Sequence, residues 1–318
     1  MNKLDETHGL EAPPVLLLTF NRIETTQRVF EAIRQARPAK LYLASDGPRV
    51  SRPEDAVKVA AVREFLTSSV DWPCQVKTLF HECNLGCKDA PIAGISWLFE
   101  HEEAGIILED DCLPHFDFFG FCADALERFK DEDRVYAISG TNIDDFSTVE
   151  ESYFFSMMGG IWGWASWRRA WMHYRSDIQE EMTSHAWDLI SKNLDDKLLA
   201  GAVRRALLNG VASMNSHAWD YQWLFRRVLL NKTSVVPTVN LIKNIGFGED
   251  ATHTMDASSP HGNREVRALT WPLLHPDCIC INKKYDHRYV GYFPLSFVQR
   301  GKRKLNKMLS RILKRKEN

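Results

Sequence analysis

The chain predicts an α/β fold, a mostly parallel sheet flanked by helices, and three observations carry that prediction. Short apolar runs recur at residues 15–20 (VLLLTF), 41–44 (LYLA) and 105–108 (GIIL), each the length of a buried strand. Stretches with helical periodicity separate them, and strands alternating with helices imply βαβ units. Polar residues gather just after each run, where open α/β sheets bind their ligands.

The elements follow in order. Residues 15–20 form the first strand, then Asn21-Arg22 and a helical stretch through about Arg37. Residues 41–44 form the second strand, which ends in the turn signal Ser45-Asp46-Gly47-Pro48. Pro53 suits the first turn of a helix running to Ser68. Residues 75–81 read as the third strand, 87–103 as a helix and 105–108 as the fourth strand. Residues 117–129 have helical periodicity, and 135–139 read as a fifth strand. Beyond Gly140 the texture changes. Residues 159–167 (GGIWGWASW) are dense in glycine and tryptophan, and Trp171 follows. Helical patterns cover 198–209 and 218–231, then a strand-like 234–236 and an irregular segment from Asn244 past His253. Without a Pro/Ser-rich linker, residues 1–298 read as one continuous domain, and 299–318 as a tail.

Hydrophobic residues at 44 % and charged residues at 26 % are ordinary for a globular chain. No run approaches the length that spans a bilayer, and residues 1–14 lack the apolar core of a signal peptide. Seven cysteines without a regular framework point to a reducing, cytoplasmic setting and to packing roles. Cys278-Ile279-Cys280 is too closely spaced for the usual zinc pair. Residues 299–318 hold nine Lys or Arg against one Glu, so the net charge of −2 leaves −10 on the rest. Leu305, Met308, Leu309, Ile312 and Leu313 share one helical face there. A basic amphipathic helix of this kind suits the anionic inner face of a membrane, although packing on the domain remains open. The acidic body disfavours nucleic acid.

Glu109-Asp110-Asp111 is the most informative stretch. Three adjacent acids at the end of a buried strand repel one another, and Mn²⁺ or Mg²⁺ relieves that cost; a solvated acidic turn is the plainer reading. Arg22 and Asp46 end neighbouring strands, so they could share one crevice with the acids, yet Ser-Asp-Gly-Pro is also a good turn on its own. Lys88, at a helix start, could pair with a diphosphate or be a solvated lysine. Asp220 lies in Trp219-Asp220-Tyr221-Gln222-Trp223, where it could be a general base or a helix cap with Trp219 and Trp223 as core packing. The Gly-Trp run suits a wall for stacking on sugar faces or a tightly packed core loop. His253 could touch phosphate or complete a metal shell, or be exposed.

These pieces together resemble the GT-A (Rossmann-like) class of nucleotide-sugar glycosyltransferases, over residues 14–255. VLLLTFNR, LASDGPR, NLGCKDA and IILEDDCLPHFDFF follow that class's order. In particular it resembles inverting enzymes of the N-acetylglucosaminyltransferase I type. Those share Glu-Asp-Asp, a following Pro (Pro114) and Asp-Phe-Phe (Asp117-Phe118-Phe119), and a later Trp-Asp-x-x-Trp. The resemblance implies that Asp111 binds the metal, Asp110 contacts the donor's ribose or sugar, and Glu109 supports the site. It implies that Asp46 reads the base, that Arg22 and Lys88 lie near base or diphosphate, and that Asp220 is the general base; His253 matches loosely. The implied halves are 14–140 for the nucleotide-sugar and 141–298 for the acceptor. The implied reaction moves a sugar, from a UDP-sugar for preference, to a cell-surface glycan or lipid-linked acceptor at the cytoplasmic membrane face. Cys112-Leu113 and the short loops around Lys88 depart from that type, which puts donor identity in doubt. Competing readings are a sugar-nucleotide nucleotidyltransferase, whose Gly-rich loop after the first strand is missing here, and a non-enzymatic protein acting through its basic tail.

Overall fold

The computed structural model describes residues 10–143, 150–214, 218–246 and 264–291. Its first half is a regular alternation: β1 (Val15–Thr19), α1 (Ile23–Ala36), β2 (Lys40–Ser45), α2 (Glu54–Ser68), β3 (Gln75–Phe80), α3 (Gly86–His101) and β4 (Ala104–Glu109). Then come β5 (Cys112–Pro114), α4 (Asp117–Arg128) and β6 (Val135–Ser139). The second half holds β7 (Tyr153–Ser156), β8 (Trp164–Trp167), α5 (Arg168–Trp171), α6 (Ser184–Leu194), α7 (Lys197–Met214), α8 (Asp220–Leu229), β9 (Thr233–Pro237) and β10 (Ile242–Asn244). Residues 283–291 are helical.

Eight strands form one sheet in the order β3-β2-β1-β4-β8-β6-β9-β7. The run β3-β2-β1-β4 is parallel throughout, as is β6 with β9. β8 is antiparallel to both β4 and β6, and β7 to β9. The chain thus has the α/β class that its sequence predicts, a mostly parallel sheet flanked by helices. A separate antiparallel ribbon pairs β5 with β10.

The apolar runs are buried on both faces, as continuous hydrophobic strands must be. Alternate residues serve opposite layers. Val15, Leu17, Leu41, Leu43, Ile106 and Leu108 pack with α1, α2 and α4, while Leu16, Leu18, Tyr42 and Ile107 pack with α3 and α8. α6, α7 and α8 bury a third cluster around Ile190, Val203 and Phe225.

Several elements differ from the sequence reading. Residues 164–167 of the Gly-Trp run form β8 and send Trp164 and Trp167 into the core, so these two rings do not stack on a sugar, while Trp162 is half-buried. Trp164 joins the layer beneath α3 and Trp167 the layer beneath α4, by the same two-residue alternation. Trp164 also stacks on Trp219, with ring centroids 5.8 Å apart. α6 was not foreseen, although Thr183 caps it by accepting the Ala186 N–H at 3.2 Å. Cys278 and Cys280 are bonded to each other, which corrects the expectation that all seven cysteines only pack; Cys112 and Cys122 are buried thiols. Among the described residues no helix is long and apolar enough to cross a membrane. The tail 299–318 and His253 lie outside the described residues.

Candidate active site

β1 and β4 are parallel neighbours with Leu18 opposite Glu109, so the segments that follow them leave the sheet side by side. Asp110 is 4 % exposed and accepts the Phe20 N–H at 3.3 Å. The Arg22 guanidinium bridges the two aspartates: its Nη2 donates to Asp110 Oδ1 and to Asp111 Oδ2, the latter at 3.0 Å. Arg22 is the N-cap residue of α1, and Thr26 Oγ1 donates to its carbonyl at 2.6 Å. The residue expected beside a base or diphosphate therefore sits against the acids.

Electrostatics mark the cluster as short of positive charge. Glu109 keeps some solvent exposure, yet its carboxyl is pushed up to about 8, first by burial and then by the charges of Asp111, Asp110 and Asp220, with Arg22 opposing. Burial pushes Asp110 up to about 6 despite Arg22. For Arg22, burial works downward, but Asp110 and Asp111 outweigh it and hold the guanidinium charged. Among the described residues, Arg22 is the cation that opposes the charges of Asp111, Asp110 and Asp220 at Glu109.

The fourth carboxylate comes from far along the chain. Asp220 lies in the first turn of α8 and is half-buried. Its charge acts on Glu109. It acts also on Cys87 at the start of α3, where the charges of Glu109 and Asp46 converge too. The charges at the C-terminal end of β4 and at the N-terminal end of α8 thus both act on the start of α3. Packing holds α8 there: Trp219 and Trp223 are buried, and the Tyr174 hydroxyl donates to the Trp219 carbonyl at 3.2 Å. The tryptophans of this segment are core, as one of its two sequence readings has it, while Asp220 is half-buried.

Asp46 is engaged otherwise than the resemblance implies. Its carboxylate accepts from Gly47 N at 2.8 Å, Asn84 Nδ2 at 2.8 Å, Leu85 N at 2.8 Å and Gly86 N at 2.9 Å. A carboxylate offers about four lone-pair sites, so these donors fill it, and Asp46 ties the β2 turn to the start of α3. Gly47 is obligatory there, because a Cβ would lie 2.4 Å from the Cys83 backbone. Lys88, in the first turn of α3, is half-buried and makes no hydrogen bond or ion pair among the described residues.

Sequence reasoning missed the supporting residues. Asp55, held well down at about 2 chiefly by hydrogen bonds from Arg49, also accepts from Asn21 at 2.7 Å, and Arg49 lies over the Phe20 ring. Arg63 donates to the carbonyls of Ser45, Asp46 and His81 at 3.2, 3.1 and 2.7 Å, gathering the ends of β2 and β3. Gly246 follows β10 and backs onto the cluster: a Cβ there would lie 2.2 Å from Asp111 Oδ2 and 2.8 Å from Arg22 Nη1. Its glycine within Asn244-Ile245-Gly246-Phe247-Gly248 was the available signal.

Among the described residues no three His, Cys, Asp or Glu are grouped to hold a metal ion, so a divalent cation implied by the resemblance would rest on one or two carboxylates and on the donor's own oxygens. Mg²⁺ typically takes one or two carboxylates plus substrate phosphates, and Asp111 presents a side chain 16 % exposed at the rim. Burial raises Glu109 most, and the negative charge of Asp111 and Asp110 that adds to it is what such an ion would relieve. Asp111 would hold it, with Arg22 yielding one contact.

No family model matches the chain, and no curated protein matches its sequence. Among solved structures it is similar to the mannosyltransferase PcManGT from Pyrobaculum calidifontis in complex with GDP-Man and Mn²⁺, at 13 % identity and TM-score 0.38 over 69 % of each chain. It is similar to HddC from Yersinia pseudotuberculosis at 9 % identity and TM-score 0.32, over 54 % of this chain and 84 % of that one. A UDP-glucose pyrophosphorylase complexed with UDP-glucose follows at 9 % identity and TM-score 0.27, over 51 % and 78 %. Likenesses of this degree carry no argument about activity, so function must be argued from the site itself.

Proposed function

We propose that the chain is a metal-dependent, inverting glycosyltransferase. It moves a sugar from a nucleotide-diphosphate donor, a UDP-sugar for preference, to a glycan or lipid-linked acceptor. The observation that carries this reading is the acid cluster at the end of β4, where Arg22 joins Asp110 to Asp111 and the charge of Asp220 adds to those acting on Glu109.

In this reading Asp220 takes the proton of the acceptor hydroxyl. The acceptor oxygen bonds to the anomeric carbon from the face opposite the donor, the bond to the diphosphate oxygen breaks, and that electron pair leaves with the nucleoside diphosphate. Mn²⁺ or Mg²⁺ at Asp111 supplies Lewis-acid stabilisation of the departing charge when bound. Asp110 and Arg22 orient the donor, Lys88 faces its diphosphate, and Glu109 holds the rim of the cluster. Asp46 acts on the base side by shaping the turn that starts α3. Residues 14–140 form the donor half, 141–298 the acceptor half, and 299–318 a basic contact to the inner membrane face.

The test is thermal stabilisation by UDP, GDP and CDP, each with and without Mn²⁺. One nucleotide raises the Tm in a Mn²⁺-dependent way, and Asp220→Asn keeps that shift while lowering kcat by about 10²–10⁴-fold. A chain indifferent to all three nucleotides overturns the reading.

A further inference from the structure

Arg227 is a buried cation that forms no ion pair among the described residues. It is 2 % exposed and sits in α8 seven residues after Asp220. Its Nη1 donates to the Met158 carbonyl at 2.8 Å and to Ser234 Oγ, and its Nη2 reaches the Gly159 carbonyl only at 3.4 Å. Its Nε–H is buried with no acceptor. Among the described residues no carboxylate comes within ion-pair distance of it. Asp286 lies near enough to act on its charge, but that carboxylate is taken by Ser156 Oγ at 2.5 Å and Met157 N at 3.3 Å. Burying a guanidinium this way costs stability unless something compensates it, and such groups cluster where ligands bind.

Arg227 forms part of the wall of a cavity of about 30 Å³, together with Gly159, Ile161, Asp220, Leu224 and Tyr289. Asp220, Leu224 and Arg227 stand at i, i+4 and i+7, one stripe of the helix. Helical side chains lean toward the helix N-terminus, which brings the guanidinium back toward Asp220. About 10–15 Å³ holds one water-sized group, so the cavity takes roughly two oxygen atoms. The Nε–Nη2 edge, the one that carries the weak and the missing bond, is a fork that matches a two-oxygen anion.

We propose that this cavity receives a carboxylate carried by the acceptor, so that the acceptor class is an acidic saccharide, with Arg227 as the counter-charge and Asp220 at the reacting hydroxyl. The identity of the ligand as acceptor rests on the transferase reading above. The anion site itself rests on the buried guanidinium and its cavity.

The experiment is isothermal titration of the full chain, alone and saturated with its stabilising nucleotide and Mn²⁺. The probes are methyl β-D-glucuronide, its methyl ester, methyl β-D-glucoside and glucose 6-phosphate. The glucuronide binds about tenfold or more tighter than the ester and the glucoside. That preference shrinks to about twofold in Arg227→Met and is partly kept in Arg227→Lys. Equal binding of acid and ester, no binding of any probe, or a preference that survives Arg227→Met overturns the inference. Binding of the sugar phosphate as tight as that of the glucuronide overturns the carboxylate assignment. Should Arg227→Met fail to fold, the acid-versus-ester comparison on the unaltered chain decides alone. An intact nucleotide shift without glucuronide preference removes this inference only. Glucuronide preference without any nucleotide shift removes the transferase reading and leaves the anion site.

Discussion

Asp46→Ala separates a structural anchor from a residue that reads a nucleotide base. The side chain is 7 % exposed and accepts hydrogen bonds from Gly47, Asn84, Leu85 and Gly86, all within 2.9 Å. A hydrogen bond to a charged group contributes about 1.5–3 kcal/mol, so four of them set an upper bound of roughly 6–12 kcal/mol. Leu85 is exposed and Asn84 and Gly86 are half-exposed, so water recovers much of the loss, and Gly47 is the neighbour in sequence. The expected cost is therefore about 3 kcal/mol. Urea unfolding followed by tryptophan fluorescence reads it as a lower midpoint at unchanged slope. Asp46→Asn costs nearly as much, because an amide nitrogen turned toward one pair of donors cannot accept from them. A stability within about 0.5 kcal/mol of the parent, coupled with lost nucleotide binding, would refute the anchoring role and restore the base-reading one.

Gly246→Ala forces a methyl group against Asp111 Oδ2 and Arg22 Nη1, so it lowers stability by about 1–3 kcal/mol. It also removes the Mn²⁺-dependent part of nucleotide stabilisation; a scan showing that part intact would clear Gly246 of any role at the acids. Asp286 has no exposure and burial raises its carboxyl from 3.8 to about 6. The sign follows from the folded chain binding this proton more tightly: the contribution is complete below pH ~4 and lost as pH rises through about 6. About 2 units at 1.36 kcal/mol each is roughly 3 kcal/mol. Against Asp286→Asn, which carries no such proton, the parent should lose up to that amount between pH 4 and 7 in urea titrations. Parallel stability curves would count against it.

β1, β2 and β4 were legible because they are buried on both faces and so appear as largely apolar runs, whereas β3 is an edge strand with exposed and half-buried residues. β7, β8 and β10 are three or four residues long, too short for a period to emerge. β8 in addition carries the tryptophans that suggested a ligand wall. Whether those rings meet sugar or core depends on what covers them, and α8 covers Trp164 with Trp219. In the site, Glu109-Asp110-Asp111 was readable as acids at a strand end, because three adjacent charges after an apolar run have few structural uses.

Charge pattern and hydrophobic period by themselves determined the α/β class, the positions of the first four strands along the chain and the acid cluster at the end of the fourth, since these are local properties of the chain. Partnership is not local. That Arg22 bridges Asp110 and Asp111, that Asp46 accepts from Asn84, Leu85 and Gly86, that Gly246 backs onto Asp111, and that Arg227 lies buried with no carboxylate in ion-pair distance among the described residues were decided by tertiary structure alone. Each depends on a distance between segments far apart in sequence, and only packing sets such distances.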